Sequence, residues 1–405
     1  MNKTTILSLF FSLFLFLAEI TNSDVTIFVA VVILLIDFVK RGIYLKDIRH
    51  VSPLLLIVLF GTVIGVLNYG FFNKDLYRDV YKTLSPVIFI LLGASLYKDN
   101  LRKNDLFMSS VVLSGLFVSL RHIILVIIAV AKQGVGFEII RGVGGNMSMV
   151  TILALVFCLN LKEELSNRLV SIRKSLCILF ILSIMLYVSR TTLVVLIPFL
   201  LLFSFRSMNL KKVSLYGIYI ILLVLFFKAI SHIDLFQELI NKFTKSFTEI
   251  NSKYQSWDWL TINNNWRGYE IFLVVQQIKY ADFFTKLFGF GFGALLDLGV
   301  YILLGDNYFS SIPILHNGYY YILYKVGIIG LLLLFVFFIL SLYRVIKLCL
   351  RSNEENKKYH LFLIGCYVGI MVSMYVISGF YNGVSMISFC MSIGYFERKL
   401  RRMDR

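Results

Sequence analysis

His316-Asn317-Gly318-Tyr319-Tyr320-Tyr321-Ile322-Leu323-Tyr324-Lys325-Val326-Gly327-Ile328-Ile329-Gly330 opens an apolar run that continues to Leu342. About 20 apolar residues of helix cross the hydrocarbon core of a bilayer, so this run is long enough to span one. Runs of the same kind recur from Ile6 almost to the C-terminus, and 59% of the 405 residues are hydrophobic against 16% charged. That balance is too apolar for a soluble globule. Backbone groups cannot face lipid unpaired, so the economical architecture is a bundle of helices. The sequence predicts an all-α, polytopic helical membrane protein with about twelve transmembrane helices. They fall near residues 5–20, 24–39, 53–69, 84–97, 106–131, 147–161, 176–189, 192–206, 214–230, 316–342, 360–378 and 383–396. The first run is read as a retained helix, because Glu19 and Asn22 stand where a small-residue cleavage site would be.

Lys and Arg set the orientation. Lys40/Arg41/Lys46/Arg49, Lys98/Arg102/Lys103, Lys162/Arg168/Arg173/Lys174, Arg206/Lys211/Lys212, Arg344/Lys347/Arg351/Lys357/Lys358 and Arg398/Lys399/Arg401/Arg402/Arg405 occupy every second connection. These connections are expected to be cytoplasmic, with both termini inside. The formal charge of +17 is thereby spread over short loops as topology signals. No loop carries an aromatic-interleaved basic stripe, so nucleic acid is not an expected partner. The five cysteines lie in apolar runs or at their ends, with no CxxC pair and no His at metal-ligand spacing, so neither a disulfide framework nor zinc is implied.

The alternation divides the chain into residues 1–230 with nine spans, an extracytoplasmic loop over 231–315, and residues 316–405 with three spans and a basic tail. The loop is near neutral in charge, unlike the basic inside loops. A connection of that length is uncommon unless it is functional or disordered. Leu235, Phe236, Leu239, Ile240, Phe243, Phe247 and Ile250 recur at helical spacing, predicting an amphipathic helix on the outer membrane face. A second helix is expected after Asn263-Asn264-Asn265, with Trp266-Arg267-Gly268-Tyr269-Glu270 in its first turn, ending before Gly289-Phe290-Gly291-Phe292-Gly293.

Candidate chemistry gathers on the outer side. His316 stands where the loop re-enters the membrane, and a His beside Asn at a helix mouth can cap or solvate the helix end, or, given partners, serve as a proton handler. Arg190, in Val188-Ser189-Arg190-Thr191-Thr192, sits in a tight turn with no acidic neighbour in sequence, suited either to snorkelling or to an external anion. Arg267 is placed either to pair with Glu270 three residues on or to bind substrate. Arg121 lies deep in the fifth run beside His122, where charges face a bundle interior or a water-filled cavity. Arg141 precedes Gly142-Val143-Gly144-Gly145, and Arg78 sits between Asp75 and Asp79, where local pairing is the simpler reading. No GxGxxG, GxxxxGK[ST] or DxD motif occurs, so no nucleotide or metal cofactor is expected. One base with several arginines suits a donor already activated as a lipid diphosphate. The base takes a hydroxyl proton, and guanidinium forks hold the departing phosphates.

With Ser189-Arg190-Thr191, Trp266-Arg267-Gly268-Tyr269-Glu270, Leu287-Phe288-Gly289-Phe290-Gly291-Phe292-Gly293 and Leu315-His316-Asn317-Gly318 leading into Lys325-Val326-Gly327-Ile328-Ile329-Gly330, the chain resembles the O-antigen ligase and O-antigen polymerase superfamily of bacterial membrane glycosyltransferases. The motif resemblance covers about Ser189 to Leu342. It implies a GT-C-like, metal-independent enzyme without cofactor in the bacterial cytoplasmic (inner) membrane. Its donor would be an undecaprenyl-diphosphate-linked oligosaccharide, with membrane lipid, a chain-length regulator and a flippase as candidate partners. It also implies His316 as catalytic base and Arg190 and Arg267 as diphosphate ligands, while Arg78, Arg121 and Arg141 match no motif and remain candidates by position. The leading expectation is a repeat-unit polymerase and the alternative a ligase to lipid A-core. A lipid-linked oligosaccharide flippase or transporter is more distant, because no internal repeat is visible and such proteins keep their site near the bilayer midplane.

Overall fold

Polar caps and glycines cut the apolar runs into helices in a computed structural model, which describes residues 11–17, 23–42, 45–97, 105–134, 136–144, 148–187, 189–205, 257–304, 307–381 and 383–403. In chain order the elements are α1 (Ser23–Arg41), α2 (Leu45–Tyr69), α3 (Lys74–Leu96), α4 (Leu106–Gln133), α5 (Phe137–Gly144), α6 (Ser148–Asn160), α7 (Asn167–Ser171), α8 (Arg173–Tyr187) and α9 (Arg190–Phe205). Then come α10 (Trp259–Asn264), α11 (Trp266–Tyr280), α12 (Phe283–Phe288), a hairpin of β1 (Leu296–Leu304) and β2 (Asn307–Ile312), α13 (Gly318–Arg351), α14 (Glu354–Val376) and α15 (Ile387–Met403). Asn73 caps α3 by accepting from the N–H groups of Asp75 and Leu76, and Asp105 caps α4 through Phe107 and Met108.

Among the described residues five helices, α2, α3, α4, α13 and α14, are long and apolar enough to cross a membrane, and the bent pair α5 and α6 makes six if it is one broken span. The protein is thus a helical, multi-pass membrane protein. Twelve spans were expected. The span at 214–230 and the amphipathic helix at 235–250 lie outside the described residues, as does much of the span at 5–20. Of the others, α8 and α9 have 15 and 16 described residues, and each runs up to the edge of the described residues.

The chain forms two compact units. The first contains α4 to α9 and the first part of α14, residues Ser352–Gly369. Phe362 packs there against Phe157 and Phe199, with ring centroids 4.9 and 5.7 Å apart. At one end of this unit Lys358 pairs with Glu163 and Tyr359 donates to Glu164. These contacts join two connections that the charge rule puts on one side.

The second unit contains α1 to α3, α10 to α13, the hairpin, the end of α14 and α15. Its closest helix contact is α3 on α15, where a Cβ on Gly93 would collide with the Met391 carbonyl and one on Gly394 with the Ile90 carbonyl. Small residues let helix backbones approach this closely in apolar surroundings. Gly394→Ala should therefore cost about 1–3 kcal/mol by overpacking, read as a lower unfolding midpoint of the purified protein in detergent. An unchanged midpoint would mean that the two helices can move apart freely.

Residues 289–294 run as an irregular strap between α2 and α13, with a turn in which Ala294 N–H donates to Gly291 O, alongside two candidate spans. Irregular backbone is tolerated beside a bilayer only where protein satisfies it, and here every N–H group of the strap has an acceptor. The N–H groups of Phe290 and Gly291 donate to the carbonyls of Tyr324 and Lys325, and that of Phe292 donates to Gly61, each at 2.9 Å. Asn68 Nδ2 donates to Phe290 O at 3.0 Å. Gly289, Gly291 and Gly327 all have positive φ, and a Cβ on Gly289 would come within 2.5 Å of the Gly327 backbone. At Gly327, with φ 69°, α13 breaks into two helical segments.

The hairpin was not anticipated from the sequence. β1 pairs antiparallel with β2 from Leu296 opposite Ile312 to Leu304 opposite Asn307, with an irregularity between Asp297 and Ile302. The loop expected to be partly helical thus contains three helices and two strands among its described residues.

Candidate functional site

The site is built at the start of α13, and its geometry assigns the two polar residues there different tasks. Asn317, 4% exposed, caps the helix. Its Oδ1 accepts from the N–H groups of Tyr319 and Tyr320 at 3.0 and 3.2 Å, and its amide donates to Tyr375 O at 3.1 Å. The capping role that His316 could have filled is taken by its neighbour.

The His316 ring turns instead to Glu270 on α11. Nδ1 lies 2.8 Å from Glu270 Oε1, and the His316 backbone N–H donates to Oε2 at 2.9 Å. The Glu270 side chain is 2% exposed and that of His316 is 50% exposed. An ionised carboxylate can only accept, so the ring donates from Nδ1 and keeps Nε2 as the basic atom of a half-exposed imidazole. A base oriented by a third group is the arrangement on which proton-transfer catalysis relies.

Further hydrogen bonds hold α11, and with it Glu270, in place. The Tyr269 hydroxyl donates to Leu298 O at 2.5 Å, and Gln277 Nε2 donates to Asp297 O at 2.9 Å, which ties α11 to β1. The Tyr324 hydroxyl lies 3.0 Å from Gln277 Oε1 and 2.9 Å from Leu295 O, which ties α11 to α13. Burial, with the Asp297 carboxylate nearby, pushes the Tyr269 phenol above its usual range and keeps it a donor. Arg267 stands three residues before Glu270, so it shares that face of α11, and it is half-buried. Both Glu270 oxygens go to His316.

Further along α13, Lys325 Nζ meets Asp79 Oδ2 at 2.6 Å, with both side chains buried. Asp79 also accepts from Gly293 N at 2.8 Å and from the Tyr321 hydroxyl at 3.3 Å, and Lys325 also donates to Ala294 O. One buried ion pair therefore joins α3, the strap and α13. Arg78, next to Asp79 on α3, pairs locally with Asp75 at 2.5 Å and stands 3.6 Å from Asp79 Oδ1. Its Nε and Nη2 have no hydrogen-bond acceptor among the described residues.

His316, Arg267 and Arg78 belong to the second unit, whereas Arg121, Arg141 and Arg190 belong to the first. Arg121 is half-buried on α4. Its neighbour His122 stacks on Tyr187 at 3.8 Å and reaches Ser183 Oγ at 3.2 Å. Arg141 is exposed in the last turn of α5. Arg190 is the first residue of α9, where Ser189 Oγ accepts from Thr192 N at 3.5 Å; the Arg190 side chain lies outside the described residues.

Sequence reasoning missed the part played by Glu270 and the Asp79–Lys325 pair. Lys325 carried a signal, since an ionisable residue inside an apolar run needs a partner. Among the described residues, no three His, Cys, Asp or Glu side chains converge as a metal site. In comparison with known proteins, no family model matches the chain and no curated protein sequence matches it significantly.

Proposed function

We propose that this chain is a metal-independent glycosyltransferase of the bacterial inner membrane, with a GT-C-like fold of about twelve spans and both termini cytoplasmic. It joins undecaprenyl-diphosphate-linked oligosaccharide repeats into O-antigen or capsular or exopolysaccharide. The observation that carries the proposal is the half-exposed His316 imidazole, fixed through Nδ1 by a buried carboxylate at the mouth of a candidate membrane helix.

In this reaction the acceptor sugar hydroxyl attacks the anomeric carbon of the donor. As the new C–O bond forms, the bond from that carbon to the diphosphate breaks, and the hydroxyl proton passes to His316 Nε2. Glu270 stabilises the imidazolium that results, while Arg267 takes the charge growing on the departing diphosphate; the resemblance implies the same role for Arg190. Arg78, Arg121 and Arg141 remain candidates for holding the anionic donor.

A ligase that moves finished polymer to lipid A-core would use the same step with a different acceptor. A flippase fits less well, because the candidate base lies at a helix mouth beside a folded loop. The test is purified full-length protein in nanodiscs, given the lipid-linked repeat with a chelator present and no nucleotide. Lengthened lipid-linked product is expected. Transfer only to lipid A-core would make the chain a ligase, and transfer to neither acceptor would end the proposal.

The arginines give a sharper prediction. Lys keeps the charge but loses the planar fork. Arg267→Lys and Arg190→Lys should therefore each lower transfer by about tenfold or more at unchanged expression. Normal polymer length in both variants would remove the two residues from the site.

A further inference from the structure

At the far end of α13, roughly 40 Å along the helix from His316, lies a second feature that the proposed chemistry does not use. A cavity of about 510 Å³ opens among the first turns of α2, the last turns of α13 and the end of α15. Lys46, Arg49, Arg344 and Arg401 line it together with the apolar Pro53, Phe337 and Leu340.

The charges in and around the cavity do not balance. Arg344 meets Glu397 at 2.5 Å and also donates to His50 Nδ1 at 3.2 Å. Arg401 meets Asp47 at 2.9 Å and Glu397 at 3.6 Å, and Arg398 takes a further share of Asp47. Among the described residues, the two nearby acids, Asp47 and Glu397, are thus committed to arginines. Lys46 and Arg49 are exposed at the mouth and form no ion pair among the described residues. Arg401 Nε, shut off from solvent, has no acceptor among the described residues. Basic residues that serve only to orient a membrane protein need neither a cavity nor an apolar lining.

We propose that this cavity binds the phosphodiester headgroup of an anionic phospholipid. The phosphate oxygens sit among Lys46, Arg49 and Arg401, and an acyl chain leaves along Leu340. That residue is 60% exposed on a helix long and apolar enough to cross the membrane, so the apolar lining continues onto the lipid-facing surface. Basic pockets between transmembrane helices bind such headgroups, each Lys or Arg adding to the attraction. The site is independent of any role for His316.

The test is native mass spectrometry of the purified full chain, titrated with phosphatidylglycerol, with phosphatidylcholine and with inorganic phosphate. Phosphatidylglycerol should be retained roughly tenfold more strongly than phosphatidylcholine. Lys46→Ala/Arg49→Ala should erase that preference at an unchanged unfolding midpoint, and Arg49→Lys alone should keep it. Lys46 and Arg49 are chosen because no residue depends on them for pairing. Equal retention of the two lipids, or an undiminished preference in the double variant, would overturn the proposal. Displacement of the lipid by millimolar phosphate would overturn the headgroup assignment and make the cavity a soluble-phosphate site.

Discussion

A His316→Ala variant is expected to lose about 10²–10⁴-fold in transfer rate, the usual contribution of a positioned general base, while reaching the membrane in normal amount. Single lipid-linked repeats should accumulate unjoined. The companion variant is Asn317→Ala, which removes the cap of α13 and should cost about 0.5–2 kcal/mol of stability with a much smaller loss of rate per folded molecule. The two neighbours separate chemistry from folding because the structure gives Asn317 the helix N–H groups and His316 the carboxylate. Glu270→Gln should fall between them. Gln can still accept from Nδ1 but no longer offsets the charge of an imidazolium, so the rate should drop by about 10–100-fold, as on losing a group that orients a catalytic side chain. Full-length polymer from His316→Ala, or loss of polymer only in proportion to lost protein, would mean that the imidazole has no catalytic part.

The largest effect on stability is expected at Lys325. Lys325→Met takes from the buried Asp79 its closest cation and leaves only Arg78 among the described residues, at 3.6 Å, and breaking one half of a buried pair costs about 3–5 kcal/mol. The purified variant should unfold at a markedly lower temperature or fail to accumulate. Asp79→Asn combined with Lys325→Met should recover most of that loss, because the Asn oxygen can still accept from Gly293 N while no charge is left uncompensated. If the double variant is as unstable as Lys325→Met alone, the pair matters through the shape of its side chains and not through charge.

What could be read from the sequence follows the range of the interactions. The start of α11 at Trp266 and the stop at Gly289 were legible, since polar Asn residues and a glycine string are local punctuation. The break between α11 and α12 was missed although Asp282 marks it, accepting from Thr285 N as a new cap. The hairpin was missed because Val300-Tyr301-Ile302-Leu303-Leu304 is nearly continuous in apolar residues, and its period of two is broken near Gly299 at φ 65°. Gly305-Asp306 is nonetheless a dipeptide of the kind that turns strands.

In the site, His316 and Arg267 stood out by residue type and place, and the local pairing of Arg78 with Asp75 followed from spacing. Glu270 was visible only as a neighbour of Arg267. Its commitment to His316 depends on how α11 lies against α13, which no window of sequence contains. The same holds for Lys325, whose need for a partner was written in the run but whose partner was not.

The strap also places the protein's assembly in time. Its N–H groups donate to Gly61 and Asp79, made long before it, and to Tyr324 and Lys325, made after it. A nascent chain that has emerged only as far as the strap therefore holds these amides without half of their acceptors, and must keep them in water until α13 arrives. Insertion of α13 supplies the missing carbonyls and Lys325, and in the same movement brings His316 to the Glu270 already waiting on α11. A half-synthesised chain, whatever it has already threaded into the bilayer, carries no assembled His316–Glu270 pair, so the proposed chemistry would begin only once the strap has closed.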